Sequence, residues 1–355
     1  MKKIEAKIVC DNIDPRGNRI TTMLLTFPRF ILAELNTHRM FSKNSASSRA
    51  IPFEKILKMV EEDPFIPIAW QKDHSGMQGT EYWTEPYEIG EKIKCWLNAR
   101  DSAISHATYL NSKGGEGITK QLCNRILEPF LWHTVLLTST EFENFFKQRC
   151  PKYEIYAGPE DTPEYFCSGR SWEDFMKSNN GLAGDFNTEN IVERLQYSKS
   201  GAEIHMQILA ESIWDAMNES TPKLLQNGEF HIPFGDNFDG NEILKLGCDN
   251  NDIISDFIVS NEVKISTARC ARLSYNTFDG EINYQKDIEL HDKLLNDEHW
   301  SPFEHCARTM SNKEYANFSK TSLSNLDNRV IDIGWVNNFR GFIQYRYMLQ
   351  NKLAV

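Results

Sequence analysis

The first residues of the chain alternate: apolar Ile4, Ala6, Ile8 and Cys10 fall between charged Lys3, Glu5 and Lys7. A period of two predicts a strand, because successive side chains leave a pleated backbone on opposite faces. The next apolar run, ITTMLLTF (20–27), predicts a second and more buried strand. Pro28 then predicts the start of a helix over RFILAELNTHRMF, since proline suits the first helical turn. Helical periodicity returns at 90–110 and 119–131, separated by the loop NSKGGEG, and Pro129 kinks or ends the second segment. At 202–217, Ile204, Ile208, Leu209, Ile213 and Met217 share one face, with Glu203, Gln207, Glu211 and Asp215 elsewhere. A further helix is expected around 284–296.

Between Arg149 and Gly201 the chain turns polar and is punctuated by Pro and Gly, which predicts an excursion on the surface. A second Gly/Asp/Asn-rich passage lies at 235–255. No internal repeat and no low-complexity block occurs. The pattern predicts one α/β (α+β) domain over 1–355, a mixed sheet with packed helices. Its parts are a half at 1–150, a polar insertion at 151–200 and a second half at 201–355.

Composition narrows what such a domain does. With 355 residues, 40% apolar, the chain builds a large core without disulfide staples. The net charge of −11 opposes a nucleic-acid polymer or an anionic membrane as partner. A single small phosphorylated ligand needs only a local cluster of arginines and stays open. The charged N-terminal alternation is unlike a signal peptide, and no run approaches the ~18 apolar residues of a membrane span. Eight cysteines show neither CxxC nor a paired Cys/His spacing, so reduced thiols and no metal are expected. These features together predict a soluble cytoplasmic protein.

The densest polar constellation is THRMFSKNSASSRAIP (37–52). Small hydroxyl residues followed by Arg make an anion cradle, with the guanidinium as a bidentate fork; the same composition also fits a helix end and a solvated turn. Glu34 and His38, four apart, share a face of the predicted helix, either as a carboxylate orienting an imidazole or as an exposed ion pair. Arg125 in ITKQLCNRILEPF and Arg149 in EFENFFKQRC sit among apolar residues, with Asn144 ahead of Arg149; each arginine also fits a solvated helix face. HWSPFEH (299–305) sets Glu304 and His305 after a proline turn, beside Trp300 and Phe303, a setting for a flat heterocycle or a purely structural turn. No His/Glu pair has HExxH spacing, and GxGxxG after a strand, P-loop and GxSxG are all missing.

Taken together, these fragments resemble the flavin-dependent thymidylate synthases. That family's signature runs Arg-His-Arg, then seven residues, then Ser, with an Asn inside and an Arg two after the Ser. Here it reads Thr37-His38-Arg39, Asn44, Ser47 and Arg49. KQLCNRILEP, ENFFKQR and AEIHMQ are similar to three further family segments. CARLSYN (270–276) followed by SPFEH (301–305) resembles the most specific pair, Ala-Arg-Val-Ser-Tyr and Ser-Pro-Phe-Glu-His. In the family the second of these precedes the Arg-His-Arg signature; here it follows, so the chain reads as a permuted version with an insertion. Thr37 replaces Arg, Glu34 replaces Gln, Ser45 replaces Glu and Ser48 replaces Gly.

The resemblance implies FAD as cofactor, NADPH and methylenetetrahydrofolate as co-substrates, and reductive methylation of dUMP to dTMP in a homotetramer. It implies that His38, Arg39, Asn44, Asn144 and His305 hold the flavin. Glu34, Ser45, Ser47, Ser48, Arg49, Arg125 and Arg149 would hold the nucleotide, with Ser47, Arg49 and Arg149 catalytic. The family needs no cysteine nucleophile, and the chain lacks the Pro-Cys-His motif of the other thymidylate synthases. Two alternatives remain open. Glu34 in place of an amide accepts from an exocyclic amine, which suits methylation or hydroxymethylation of another pyrimidine nucleotide such as dCMP. The changes at Thr37 and Ser45 suit a flavin- or nucleotide-binding relative without turnover.

Overall fold

The structure is a computed structural model; it describes residues 2–75, 79, 81–112, 117–155, 164–171, 173, 191–246, 254–273, 283–322 and 330–353. Much of the predicted insertion, and Ser274–Asn276 of the CARLSYN segment, lie outside the described residues.

Strands β1 (Glu5–Ile13) and β2 (Arg19–Pro28) form an antiparallel hairpin where the two apolar patterns predict strands. Asp14 closes it: its carboxylate accepts from the backbone N–H of Arg16 and Asn18 and from the Asn18 amide, an Asx arrangement that favours a turn. With β3 (Ser42–Ser45), β4 (Trp132–Ser139) and β7 (Lys223–Leu224) they make a mixed five-stranded sheet in the order β3-β4-β2-β1-β7. Only the β1–β7 pair is parallel. The short strands β5 (Tyr153–Ile155) and β6 (Glu164–Phe166) pair apart from it.

The sheet is packed on both faces, and strand alternation decides which residue goes where. Met23, Leu25 and Phe27 of β2 join Val135 and Leu137 of β4 in the largest core cluster, with Ile204, Leu209 and Ile213 of the helix Ile204–Glu219. Ile20 points to the other face, where it meets Ala307 and Phe342 from the C-terminal half. Those two belong to a three-stranded sheet of the strand Phe342–Gln344, β9 (Ala307–Thr309) and β8 (Phe230–His231). The strand β4, which the apolar pattern did not single out, lies between β2 and β3 and is buried along most of its length. Helices α2 (Phe53–Glu62), α3 (Pro86–Asn111) and α4 (Lys120–Leu127) pack as a separate cluster.

Three expectations are corrected. The helix predicted over 29–41 is only a 3-10 turn (Arg29–Ile31) and α1 (Leu32–Leu35). Side chains end it: the Thr37 hydroxyl donates to the Glu34 carbonyl at 2.7 Å, and Lys43 Nζ donates to the carbonyls of Leu35 and His38. His38 is therefore outside the helix and shares no helical face with Glu34. Pro28 ends β2 and caps the 3-10 turn that follows it, so it opens only this short helical segment. The segment after Arg149 is not wholly on the surface, because Tyr153, Ser168, Leu195 and Ser198 are buried. They dock on the polar side of Ile204–Glu219, where buried Gln207 accepts from Ser198 and buried Glu211 pairs with Arg194 and accepts from Gly169 N–H. The helix Ile254–Arg272, which carries the ARCAR residues, was not expected as a helix.

Candidate functional site

Strand β3 places Asn44 and Ser45 at the sheet edge, and the turn after it brings Ser47 and Arg49 alongside. These four residues line a cavity of about 420 Å³ with Gln121 from the first turn of α4 and with Ala271, Leu294, His299, Ser301 and Pro302 from the C-terminal half. The seam between the two halves is hydrogen-bonded. Asn44 Nδ2 donates to the Cys270 carbonyl at 2.7 Å, and the Ser301 hydroxyl donates to the Lys43 carbonyl at 3.2 Å. Ser301 Oγ also lies 3.3 Å from Asn44 Oδ1.

Among the described residues, Arg49 has no hydrogen-bond or ion-pair partner and is exposed. A free guanidinium over a cavity of hydroxyl and amide groups suits an anion held bidentately. Ser45 Oγ lies 2.6 Å from His133 Nε2, and burial together with the Arg29 cation lowers His133 to about 3. His133 is thus a neutral partner that orients the Ser45 hydroxyl.

A second group forms around His38. Arg149 Nε donates to His38 Nε2 at 3.0 Å and Nη2 to the Thr37 hydroxyl at 3.3 Å, while Nη1 stands 3.9 Å from Glu34. His38 is lowered to about 4, by burial first and then by the Arg149 and Lys43 cations, so it is neutral and accepts at Nε2. Burial and the Glu203 charge push the Glu34 carboxyl up against the pull of Arg149. His38, Arg39 and Asn144 line one cavity of about 250 Å³ together with Thr37, Phe145 and Gln148.

The residues predicted from sequence therefore fall into two main clusters. Asn44, Ser45, Ser47 and Arg49 face the first cavity; His38, Arg39 and Asn144 face the second, with Arg149 and Glu34 against His38. Asn44, expected with the flavin group, stands instead at the seam of the first cavity. Three residues stand apart. The Ser48 hydroxyl donates to Glu128 and faces a pocket shared with Arg29 and His133, and Arg125 lines another with Arg29 and Glu128. His305 is fully buried, lowered to about 3 by that burial, with Nδ1 2.8 Å from the Thr138 hydroxyl. Its Nε2 has no partner among the described residues.

Sequence reasoning missed Gln121 and His299 as lining residues, although both lie inside segments it had singled out. Their signal was proximity to KQLCNR and SPFEH, which only folding turns into a shared wall. A larger cavity of about 1040 Å³, between Lys223–Glu229 and Arg308, holds none of the predicted residues. No helix among the described residues is long and apolar enough to cross a membrane.

No protein-family model and no curated protein matches the chain. Two solved structures show partial likeness to it, both of the UMP/dUMP methylase PolB from Streptomyces cacaoi. The one bound with 5-Br dUMP is 12% identical with a TM-score of 0.35, over 57% of this chain and 66% of that one, just under two thirds of its length. The one bound with 5-Br UMP is 13% identical with a TM-score of 0.34, over 44% and 81%. Overlap at this level assigns no activity.

Proposed function

We propose that the chain is a flavin-dependent pyrimidine nucleotide methylase that converts dUMP to dTMP. FAD is the bound cofactor, and methylenetetrahydrofolate and NADPH are co-substrates. One observation carries this reading: Asn44, Ser47 and Arg49 of the signature, Ala271 of CARLSYN, and Ser301 and Pro302 of SPFEH, distant in sequence and all within segments singled out by the family resemblance, wall the same cavity. Motif order along the chain loses its force once the motifs meet in space. A volume of about 420 Å³ lies within the ordinary range for a small-molecule site.

The second cavity suits a flavin in the kind of groups it offers. Arg39 is exposed without a partner among the described residues, Asn144 supplies an amide, and His38 is a neutral imidazole already oriented by Arg149. At about 250 Å³ it takes part of a dinucleotide, and other subunits of a homotetramer supply the remaining wall.

When bound, the flavin supplies the hydride that reduces the transferred one-carbon unit. The chain's own residues do the rest. Arg49 grips the nucleotide phosphate, and the Ser47 hydroxyl and Ser45, held by His133, face the base. The Asn44 seam keeps both walls at fixed spacing. In this reading the pyrimidine ring is activated by electrostatics, from the arginine, hydroxyl and amide groups that line the cavity. Glu34 stands beside Arg149 and lines neither cavity, which speaks for a uracil nucleotide over one read through an exocyclic amine. The uracil nucleotide is accordingly the preferred substrate.

The test is the spectrum of the purified protein, followed by reoxidation of reduced flavin with methylenetetrahydrofolate and either dUMP or dCMP. Bound FAD, absorbing near 450 nm (roughly, as oxidised flavins do), and dUMP-dependent reoxidation are expected. A colourless protein that takes up no FAD overturns the reading. Turnover with dCMP alone moves the substrate. Light scattering of an active FAD-bound monomer removes the tetramer.

A further inference from the structure

A fully enclosed chain of polar side chains crosses the molecule behind the proposed site. Asn12 Oδ1 lies 2.6 Å from His231 Nδ1, and His231 Nε2 lies 2.7 Å from the Thr22 hydroxyl. Thr22 and Thr138 are direct cross-strand partners in the β2–β4 register, and their hydroxyls are 2.7 Å apart. Thr138 then meets His305 Nδ1 at 2.8 Å. Thr22, Thr138, His231 and His305 are all 0% exposed and Asn12 is 5% exposed.

The proton positions along this chain follow from counting. Burial keeps both imidazoles neutral, so each carries one ring proton. The Asn12 amide is oriented by its surroundings: Nδ2 faces the Lys223 carbonyl, and Oδ1 accepts from the Cys10 thiol. Oδ1 is therefore the atom that meets His231, and it takes the Nδ1 proton. His231 Nε2 is then a lone pair, and Thr22 spends its single hydroxyl proton on it. Thr22 can only accept from its other neighbour, so Thr138 donates to Thr22. With its proton spent, Thr138 accepts from His305, which must carry its proton on Nδ1. His305 Nε2 is left as a bare lone pair, the same atom that has no partner among the described residues.

We propose that Asn12, His231, Thr22 and Thr138 act as a tautomer lock on His305, holding its Nε2 as a buried acceptor for an N–H or O–H donor. This goes beyond the flavin reading, since His305 lines neither cavity above: the group that meets its Nε2 is an N–H or O–H donor, and a carbonyl is rejected. A lone pair facing a carbonyl leaves two buried acceptors unpaired, whereas an N–H satisfies both groups. Thr22 and His231 are positioning residues in this scheme, acting through Thr138.

Long-range proton–nitrogen correlation spectra of the ¹⁵N-labelled, ligand-free protein at neutral pH read the tautomer directly. The His305 signals are identified by their loss in His305→Asn. A protonated Nδ1 and an unprotonated Nε2 are expected; the reverse overturns the lock. In Thr22→Val the Thr138 hydroxyl is released to donate to His305 Nδ1, and the ring proton moves to Nε2. Thr22→Ser keeps the wild-type pattern. An unchanged tautomer in Thr22→Val shows that the relay does not set it and also overturns the proposal. Should Thr22→Val fail to fold, the wild-type spectrum decides alone. A wild type with the expected tautomer that binds no FAD sinks the flavin reading and leaves the lock standing.

Discussion

Arg49 follows a Ser-rich run and Arg149 sits among apolar residues; both were expected on the nucleotide, and their surroundings separate them. Arg49 has no partner among the described residues and overhangs the cavity it shares with Asn44, Ser45 and Ser47. Arg149 is engaged with His38, Thr37 and Glu34. A lost charge-assisted contact to phosphate costs about 1.5–3 kcal/mol, roughly ten- to a hundredfold in affinity. An exposed ion pair is worth only about 0–1 kcal/mol. Arg49→Ala should therefore raise the dUMP dissociation constant by the larger factor with flavin retained, and Arg49→Lys should rescue it only in part, lacking the planar fork. Arg149→Ala should instead loosen His38 and lower flavin retention, with a smaller effect on dUMP. Titrating dUMP while following the flavin spectrum separates the two; wild-type dUMP affinity in Arg49→Ala would make that residue an ordinary solvated arginine.

Elements are joined at the site by few bonds, which makes those bonds measurable. Asn44 ties β3 to the end of Ile254–Arg272 through the Cys270 carbonyl, and Ser301 ties the same strand to the SPFEH turn. Asn44→Ala leaves a buried carbonyl unpaired and should cost about 1–3 kcal/mol of unfolding free energy. Denaturant midpoints with an unchanged slope would show it. A loss below a few tenths of a kcal/mol would mean the seam closes without Asn44. At the N-terminus of Ile204–Glu219, the Glu203 carboxylate accepts from the backbone N–H of His205 and Met206 and pairs with His205 Nδ1. Removing that cap in Glu203→Ala should cost on the order of 1 kcal/mol, read from the same curves. At this scale helices with clear periodicity were legible, as in Tyr284–Asn296. The helix over 29–41 was not, because Thr37 and Lys43 compete for its carbonyls from outside the pattern.

Across the whole molecule, acid sensitivity follows from three buried imidazoles. His133, His231 and His305 are each lowered from 6.5 to about 3, by burial above all, with Arg29 adding to the effect at His133 and Asp11 opposing it at His231. Between those values the unfolded chain binds protons that the folded chain refuses. Stability is complete above about 6.5 and falls as pH drops, by ~1.4 kcal/mol per pH unit for each such group. Glu211 works the other way: burial raises it from 4.5 to about 6, so the folded state gains the proton first in that interval. His38 and His291, also lowered by burial, join the three imidazoles, while Glu34, Glu262 and Asp287, raised by burial, join Glu211. The three imidazoles are displaced further than Glu211 and set the direction. The thermal midpoint should thus hold level from pH 7.5 to about 6.5 and fall from there to pH 5, as followed by circular dichroism. A midpoint that is flat or rises over that range would show that the imidazoles are not held neutral.

The sequence by itself determined the first two strands, the helices at 90–110, 119–131, 202–217 and 284–296, and several of the residues around the cavities. Period and side-chain chemistry are local properties, and Asn44, Ser47, Arg49 and SPFEH stand out within a few residues of chain. Only the tertiary structure decided which of them meet. Sheet register set Thr22 against Thr138, and packing of the C-terminal half on one sheet face brought Ser301 to Asn44. It also carried His305 into the interior, away from exposed Arg39, with which the resemblance had grouped it. Pairing and burial depend on contacts between residues hundreds of positions apart, and no local pattern encodes which surfaces close on one another.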